Sequence, residues 1–158
     1  MFFGLSLKDV KKKIGKVIKK EKGRNIAVFV DGPNILRKEL GIDLETVKQV
    51  LEKHGNLKIA RVFLNQFASN KLVEAVVNQG FETALTVGDV DVAMASDATE
   101  AVFNKAIHSI AFVTRDSDFL PAIMKAKRYG KQTIVVLAEE ASAAALKNTA
   151  DVVIVLGG

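Results

Sequence analysis

From Asn25 onward, short apolar runs rich in branched residues alternate with longer stretches whose apolar residues recur at helical spacing, so strands and helices are expected in turn. The first strand is Ile26-Ala27-Val28-Phe29-Val30. A helix is expected from Asp43 to about Lys53, a strand over Lys58–Leu64, a helix from about Ser69 to Gln79 ending at Gly80, and a third strand over Phe81–Val87. Next come a helix over about Val92–Ala106, a strand over Ser109–Thr114, a helix over Phe119–Tyr129 closed by Gly130, and the strand Thr133–Leu137. A short alanine-rich helix, Ala141–Lys147, and a strand, Val152–Leu156, complete the pattern. Apolar strands of this kind suit a mostly parallel sheet covered on both faces. Short loops and the absence of an internal repeat argue for one compact α/β domain over residues 25–158.

The segment before it, residues 1–24, reads differently. Leu7, Val10, Ile14, Val17 and Ile18 fall on one side of a helix within Lys8–Lys20, giving a basic amphipathic arm that ends near Gly23. Its apolar stripe needs a partner. The domain's own surface, a second copy in a homodimer, and a membrane surface all remain open.

Charge sharpens the division. Nine of the 23 Lys and Arg residues lie in residues 1–24, against only Asp9 and Glu21, so the net charge of +5 comes from the arm. The body, with 14 basic and 16 acidic residues, is slightly negative. A concentrated basic segment attracts a polyanion such as RNA or an anionic lipid surface; the plainer explanation is a solvated tail. With 158 residues, 49% of them hydrophobic, the chain suits one domain rather than two. It has no cysteine, which excludes disulfides and thiolate metal sites. His54 and His108 are the only imidazoles and read as surface or core residues, so a metal here would be held by oxygen. Phe103, Phe112 and Phe119 are expected in the core. No apolar run approaches the roughly 20 residues of a membrane span, and Met1-Phe2-Phe3-Gly4-Leu5 is followed by lysines rather than a cleavage site, so a cytoplasmic protein is expected.

In open parallel sheets ligands gather beyond the carboxyl ends of the strands. Asp31 ends the first strand, and Asp116 and Asp118 follow the strand that ends at Thr114. Asp89 and Asp91 stand between the third strand and its helix, with Asp97 further along. If the first and fourth strands are neighbours, Asp31 and Asp116 share a crevice. Mutually repelling carboxylates there would favour a hard divalent cation, Mg²⁺ or Mn²⁺, and with it phosphodiester hydrolysis. Helix capping competes for each aspartate taken singly: Asp43 is expected to cap its own helix, and Asp116 and Asp118 to cap the next one. Capping does not account for several aspartates converging at one end of several strands.

The runs Val30-Asp31-Gly32-Pro33-Asn34-Ile35, Val90-Asp91-Val92 with Asp97 six residues on, and Arg115-Asp116-Ser117-Asp118-Phe119-Leu120-Pro121 together resemble the NYN domain, in the LabA-like subgroup also called DUF88. The tail Ala145-Leu146-Lys147-Asn148-Thr149-Ala150-Asp151 is similar to the segment that closes many such domains. The resemblance implies a PIN-like, three-layer α/β/α fold with strand order 3-2-1-4-5 and a Mg²⁺ or Mn²⁺ site that cleaves RNA. By position, Asp31, Asp91 and Asp116 would be the core acidic set, with Asp118 and Asp97 supporting it directly or through water. Asn34 would orient Asp31 or contact the scissile phosphate, and Thr114 would hydrogen-bond a ligand. The sequence departs from relatives at Gly88-Asp89, where a Lys-Gly pair is common, and at Arg115, where glycine is common. Arg115 could take over the missing grip on phosphate or pair with Asp89.

The expected function is therefore a metal-dependent endoribonuclease acting on single-stranded or structured RNA. The alternative is a non-catalytic regulatory module that binds RNA or protein on the same fold. A phosphatase or nucleotide-binding enzyme fits less well, because the chain has no Asp-x-Asp after its first strand, no Walker loop and no Gly-x-Gly-x-x-Gly turn.

Overall fold

The computed structural model describes residues 23–36, 43–140 and 143–157. The amphipathic helix expected within Lys8–Lys20 lies outside the described residues, as does the start of the helix expected at Ala141. Six strands, β1 (Asn25–Asp31), β2 (Asn56–Asn65), β3 (Glu82–Thr86), β4 (Ser109–Val113), β5 (Gln132–Leu137) and β6 (Val152–Val155), form one sheet in the order β3-β2-β1-β4-β5-β6. Every neighbouring pair is parallel. The sheet is thus wholly rather than mostly parallel, and β6 extends the expected order by one strand.

Helices α1 (Gly32–Ile35), α2 (Leu44–Glu52) and α3 (Asn70–Asn78) cover one face, and α4 (Val90–Val102), α5 (Leu120–Arg128) and α6 (Ala144–Thr149) cover the other. Strand side chains alternate between the two cores. Ile26, Val28 and Val30 pack with Val47, Leu51 and Val76 on one face, while Ala27 and Phe29 pack with Met94, Ala98 and Ile123 on the other. Since both faces are covered, both alternating sets must be apolar, which is why β1, β4 and β5 read as unbroken hydrophobic runs. Full burial of a side chain such as Leu51 contributes about 1.5–3 kcal/mol.

Local chemistry sets the helix limits. Asp43 caps α2 by accepting from Glu45 N, and Ser69 caps α3 by accepting from Leu72 N. The Asp89 carboxylate accepts from Asp91 N, so α4 starts at Val90 rather than Val92. It also ends earlier than expected, at Val102, because the Asn104 side chain turns back to accept from Ala106 N and competes with the helical ladder. Phe103 consequently falls outside the helix and is 59% exposed, whereas Phe112 and Phe119 are buried. The run Gly32-Pro33-Asn34 forms the one-turn helix α1, with Pro33 in the first turn, where its missing N–H costs nothing.

The chain leaves β1 towards β2 and β3 but leaves β4 towards β5 and β6. Connections on either side of the β1/β4 pair therefore diverge, and a crevice opens at the strands' carboxyl ends.

Candidate metal centre

Asp31, the last residue of β1, is only 1% exposed at this crevice. Gly32 makes its position attainable: a Cβ there would collide with the Phe63 carbonyl oxygen and the Leu64 side chain, so only glycine lets α1 press against the end of β2. Thr114, at the end of the neighbouring strand, donates its hydroxyl to Asp31 Oδ2 at 3.0 Å. Asn34 Nδ2 donates to the same oxygen at 2.7 Å. Among the described residues Asp31 Oδ1 is buried without a hydrogen-bond partner. A buried, unpartnered carboxylate oxygen is costly, and a cation would satisfy it.

The Thr114 hydroxyl also accepts from Asp116 N at 3.1 Å, tying the β4 exit loop to the β1 carboxylate. Asp116 Oδ1 accepts from Asp118 N at 2.9 Å and starts the 3₁₀ turn Ser117–Phe119 ahead of α5. Asp91 enters from the first turn of α4. One carboxylate oxygen from each of Asp31, Asp91 and Asp116 lies within 4.8 Å of the other two, close enough to hold one ion. They line a cleft of about 320 Å³ together with Asn34, Asn65 and Asp89, and among the described residues no lysine or arginine lines it.

The electrostatics follow. Burial pushes the Asp31 carboxyl above its ordinary value, against hydrogen bonds from Asn34 and Thr114 that stabilise the anion. Asp91 is pushed up to about 7 by desolvation first, then by the hydrogen-bonded and like-charged Asp116, with Asp89 and Asp31 adding repulsion. The donor set is hard oxygen, its charge is unrelieved, and one atom lacks a partner, so the residues fit a divalent cation.

The other expected site residues fall outside the three-carboxylate group. Asp97 makes its ion pair with Arg61 of β2 instead. Helix geometry explains this: six residues turn the chain by about 240° and advance it by about 9 Å, so Asp91 and Asp97 cannot face one centre. Asp118 is exposed, and its backbone N–H serves the Asp116 cap. Asn34 and Thr114 both hold Asp31, the orienting role expected for Asn34. Arg115 makes no ion pair among the described residues, with Asp89 or otherwise. Asn65, at the end of β2, lines the cleft without having been singled out, and Asp89, noted after the third strand but left out of the expected acidic set, lines it too. The strand-end rule applied to β2 would have found Asn65.

Among the described residues no helix is long and apolar enough to cross a membrane. Of known proteins, the uncharacterized protein MJ0482 of Methanocaldococcus jannaschii is 55% identical over 152 residues, covering 96% of this chain. The chain spans 63% of that relative's length. The model of the NYN domain matches residues 25–157. With a wholly parallel PIN-like sheet and three aspartates converging where the strands end, the chain belongs to the NYN domain family.

Proposed function

We propose that this chain is a metal-dependent endoribonuclease of the LabA-like subgroup, using Mg²⁺ or Mn²⁺ held by Asp31, Asp91 and Asp116. The observation that carries the reading is the convergence of three carboxylates, one of them buried with an oxygen that has no hydrogen-bond partner, in a cleft lined by no cationic side chain among the described residues. NYN domains are generally nucleic-acid-binding, which supports RNA as the partner.

A divalent cation bound there would supply an acidified water and offset the charge that builds on the phosphate under attack. The chain's own residues do the positioning. Asn34 and Thr114 occupy Oδ2 of Asp31 and leave Oδ1 available to the cation. Because the Thr114 hydroxyl also accepts from Asp116 N, one side chain sets the spacing of two of the three carboxylates. On this reading Asn34 and Arg115 would contact the scissile phosphate, and Asp118 would support the centre through water. The negative charge of the three aspartates would discourage anionic RNA until a cation offsets it.

The test is cleavage of a mixed panel of labelled RNAs by purified protein with Mn²⁺, with Mg²⁺ and with EDTA, beside Asp116→Asn. Metal-dependent cutting that the variant loses is the expected result. Binding without cutting across the panel would overturn it in favour of a regulatory RNA- or protein-binding module.

A further inference from the structure

At the opposite end of the sheet, where the strands begin, a second cleft of about 480 Å³ carries the reverse charge. Arg24, His108 and Lys131 directly precede β1, β4 and β5, and Lys127 and Tyr129 come from the C-terminal end of α5. Lys105 lines it from the loop after α4. Among the described residues the one carboxylate there, Asp151, is already engaged: it accepts from the N–H and hydroxyl of Thr133 and pairs with Lys127 Nζ at 3.6 Å. Lys131 Nζ donates to the carbonyls of Asn104 and Ile107, which fixes its position without neutralising it. Arg24 and Lys105 make no ion pair among the described residues. The cleft is therefore strongly cationic, in a body whose remaining charge is slightly negative.

Beside these cations stand two aromatics that neither core uses. Phe103 and Tyr129 are 59% and 57% exposed and meet edge to face at 5.0 Å. Cations in a groove next to exposed aromatic rings form a surface suited to single-stranded nucleic acid, with phosphates on the cations and bases on the rings. An anionic membrane would be served by the cations, but an exposed edge-to-face ring pair offers a stacking face for a base rather than an apolar anchor. The segment bearing eight further lysines, residues 1–22, joins the fold at this same end through Gly23.

We infer that this cleft is a second binding site for single-stranded RNA, separate from the aspartate centre, in which Arg24, Lys105 and Lys131 take backbone phosphates and Phe103 and Tyr129 stack bases. His108 and Thr114 bracket β4, so the two sites lie roughly 20 Å apart along the strands. It rests on the nuclease reading only for the choice of RNA as the polyanion. A strand held here would keep its remaining length near the cutting centre and raise its local concentration.

The test is fluorescence anisotropy with the full chain and a labelled uridine-rich RNA of about 12 nucleotides, in EDTA so that cutting cannot intervene. Arg24→Glu with Lys105→Glu is compared with a charge-matched control, Lys53→Glu just after α2 with Lys71→Glu on α3. Phe103→Ala with Tyr129→Ala forms the aromatic arm. The expected result is an affinity loss of about tenfold or more for the cleft charge variant relative to its control, with a shallower salt dependence. A loss of about fivefold or more is expected for the aromatic variant, with circular dichroism showing both variants folded. Equal losses in the cleft and control charge pairs, or wild-type affinity in the aromatic variant, would overturn the proposal. So would loss of binding to phosphatidylserine vesicles with RNA binding intact. Failure of the nuclease reading shows elsewhere, as absence of cutting with Mn²⁺, and leaves these binding results to stand or fall by themselves.

Discussion

Asp116 has two jobs that a single substitution separates. Its Oδ1 caps the turn before α5, and its carboxylate is one of the three that converge. Asparagine caps about as well as aspartate but brings no charge to a cation. Asp116→Asn should therefore stay within about 0.5 kcal/mol of wild-type stability while losing tenfold or more in Mn²⁺ affinity by calorimetry; an equal loss of stability would reduce Asp116 to a cap. Asp91 provides a pH signature. Its carboxyl, ordinarily near 3.8, is pushed up to about 7 by burial and by Asp116. The folded state thus holds a proton that the unfolded chain has released, so this contribution to stability is fully present below about 3.8 and is lost as pH rises through about 7. In EDTA, urea midpoints should fall across that window more steeply for wild type than for Asp91→Asn, and matching slopes would contradict the assignment. Saturating Mn²⁺ should reverse the trend, because the ionised form is the ligand. At this scale Asp31, Asp91 and Asp116 were readable from their places after strands, since that position needs only the strand assignment. Asp97 was misplaced because the helix was expected to begin at about Val92, which left Asp91 off it; with both on α4, their spacing of six residues turns them apart. Phe103 was misplaced because the helix end that exposes it is made by Asn104.

Among the elements, the smallest has the largest influence on the site. Helix α1 is one turn long, yet it places Asn34 on Asp31 and packs Ile35 into the core. Its seating depends on Gly32, so Gly32→Ala should destabilise the domain by about 1–3 kcal/mol through overpacking. It should also weaken Mn²⁺ binding, which calorimetry and urea unfolding would read together; unchanged affinity would show that the Asp31 carboxylate is held by β1 alone. The larger elements were legible because periodicity survives over nine or more residues, as in α2 and α3. A four-residue helix holds barely one period, and Asp-Gly-Pro-Asn is equally good turn chemistry.

For the molecule as a whole, metal is expected to act as a structural ligand before it acts as a reagent. A cation that binds only the folded chain adds about 2.7 kcal/mol at a hundred times its dissociation constant. Thermal melts should rise with Mn²⁺ by that amount and return with EDTA, and Asp31→Asn should abolish the response. The six parallel strands have one further consequence. Because each begins at the end that carries Arg24, Lys105 and Lys131 and finishes at the end that carries Asp31, Asp89, Asp91 and Asp116, the body is a permanent electric dipole aligned with its strands. Such a particle orients in a field instead of responding to its net charge alone. At one neutral pH it should be retained by both anion and cation exchangers, each gripping an opposite pole, and metal should loosen its hold on only one of them.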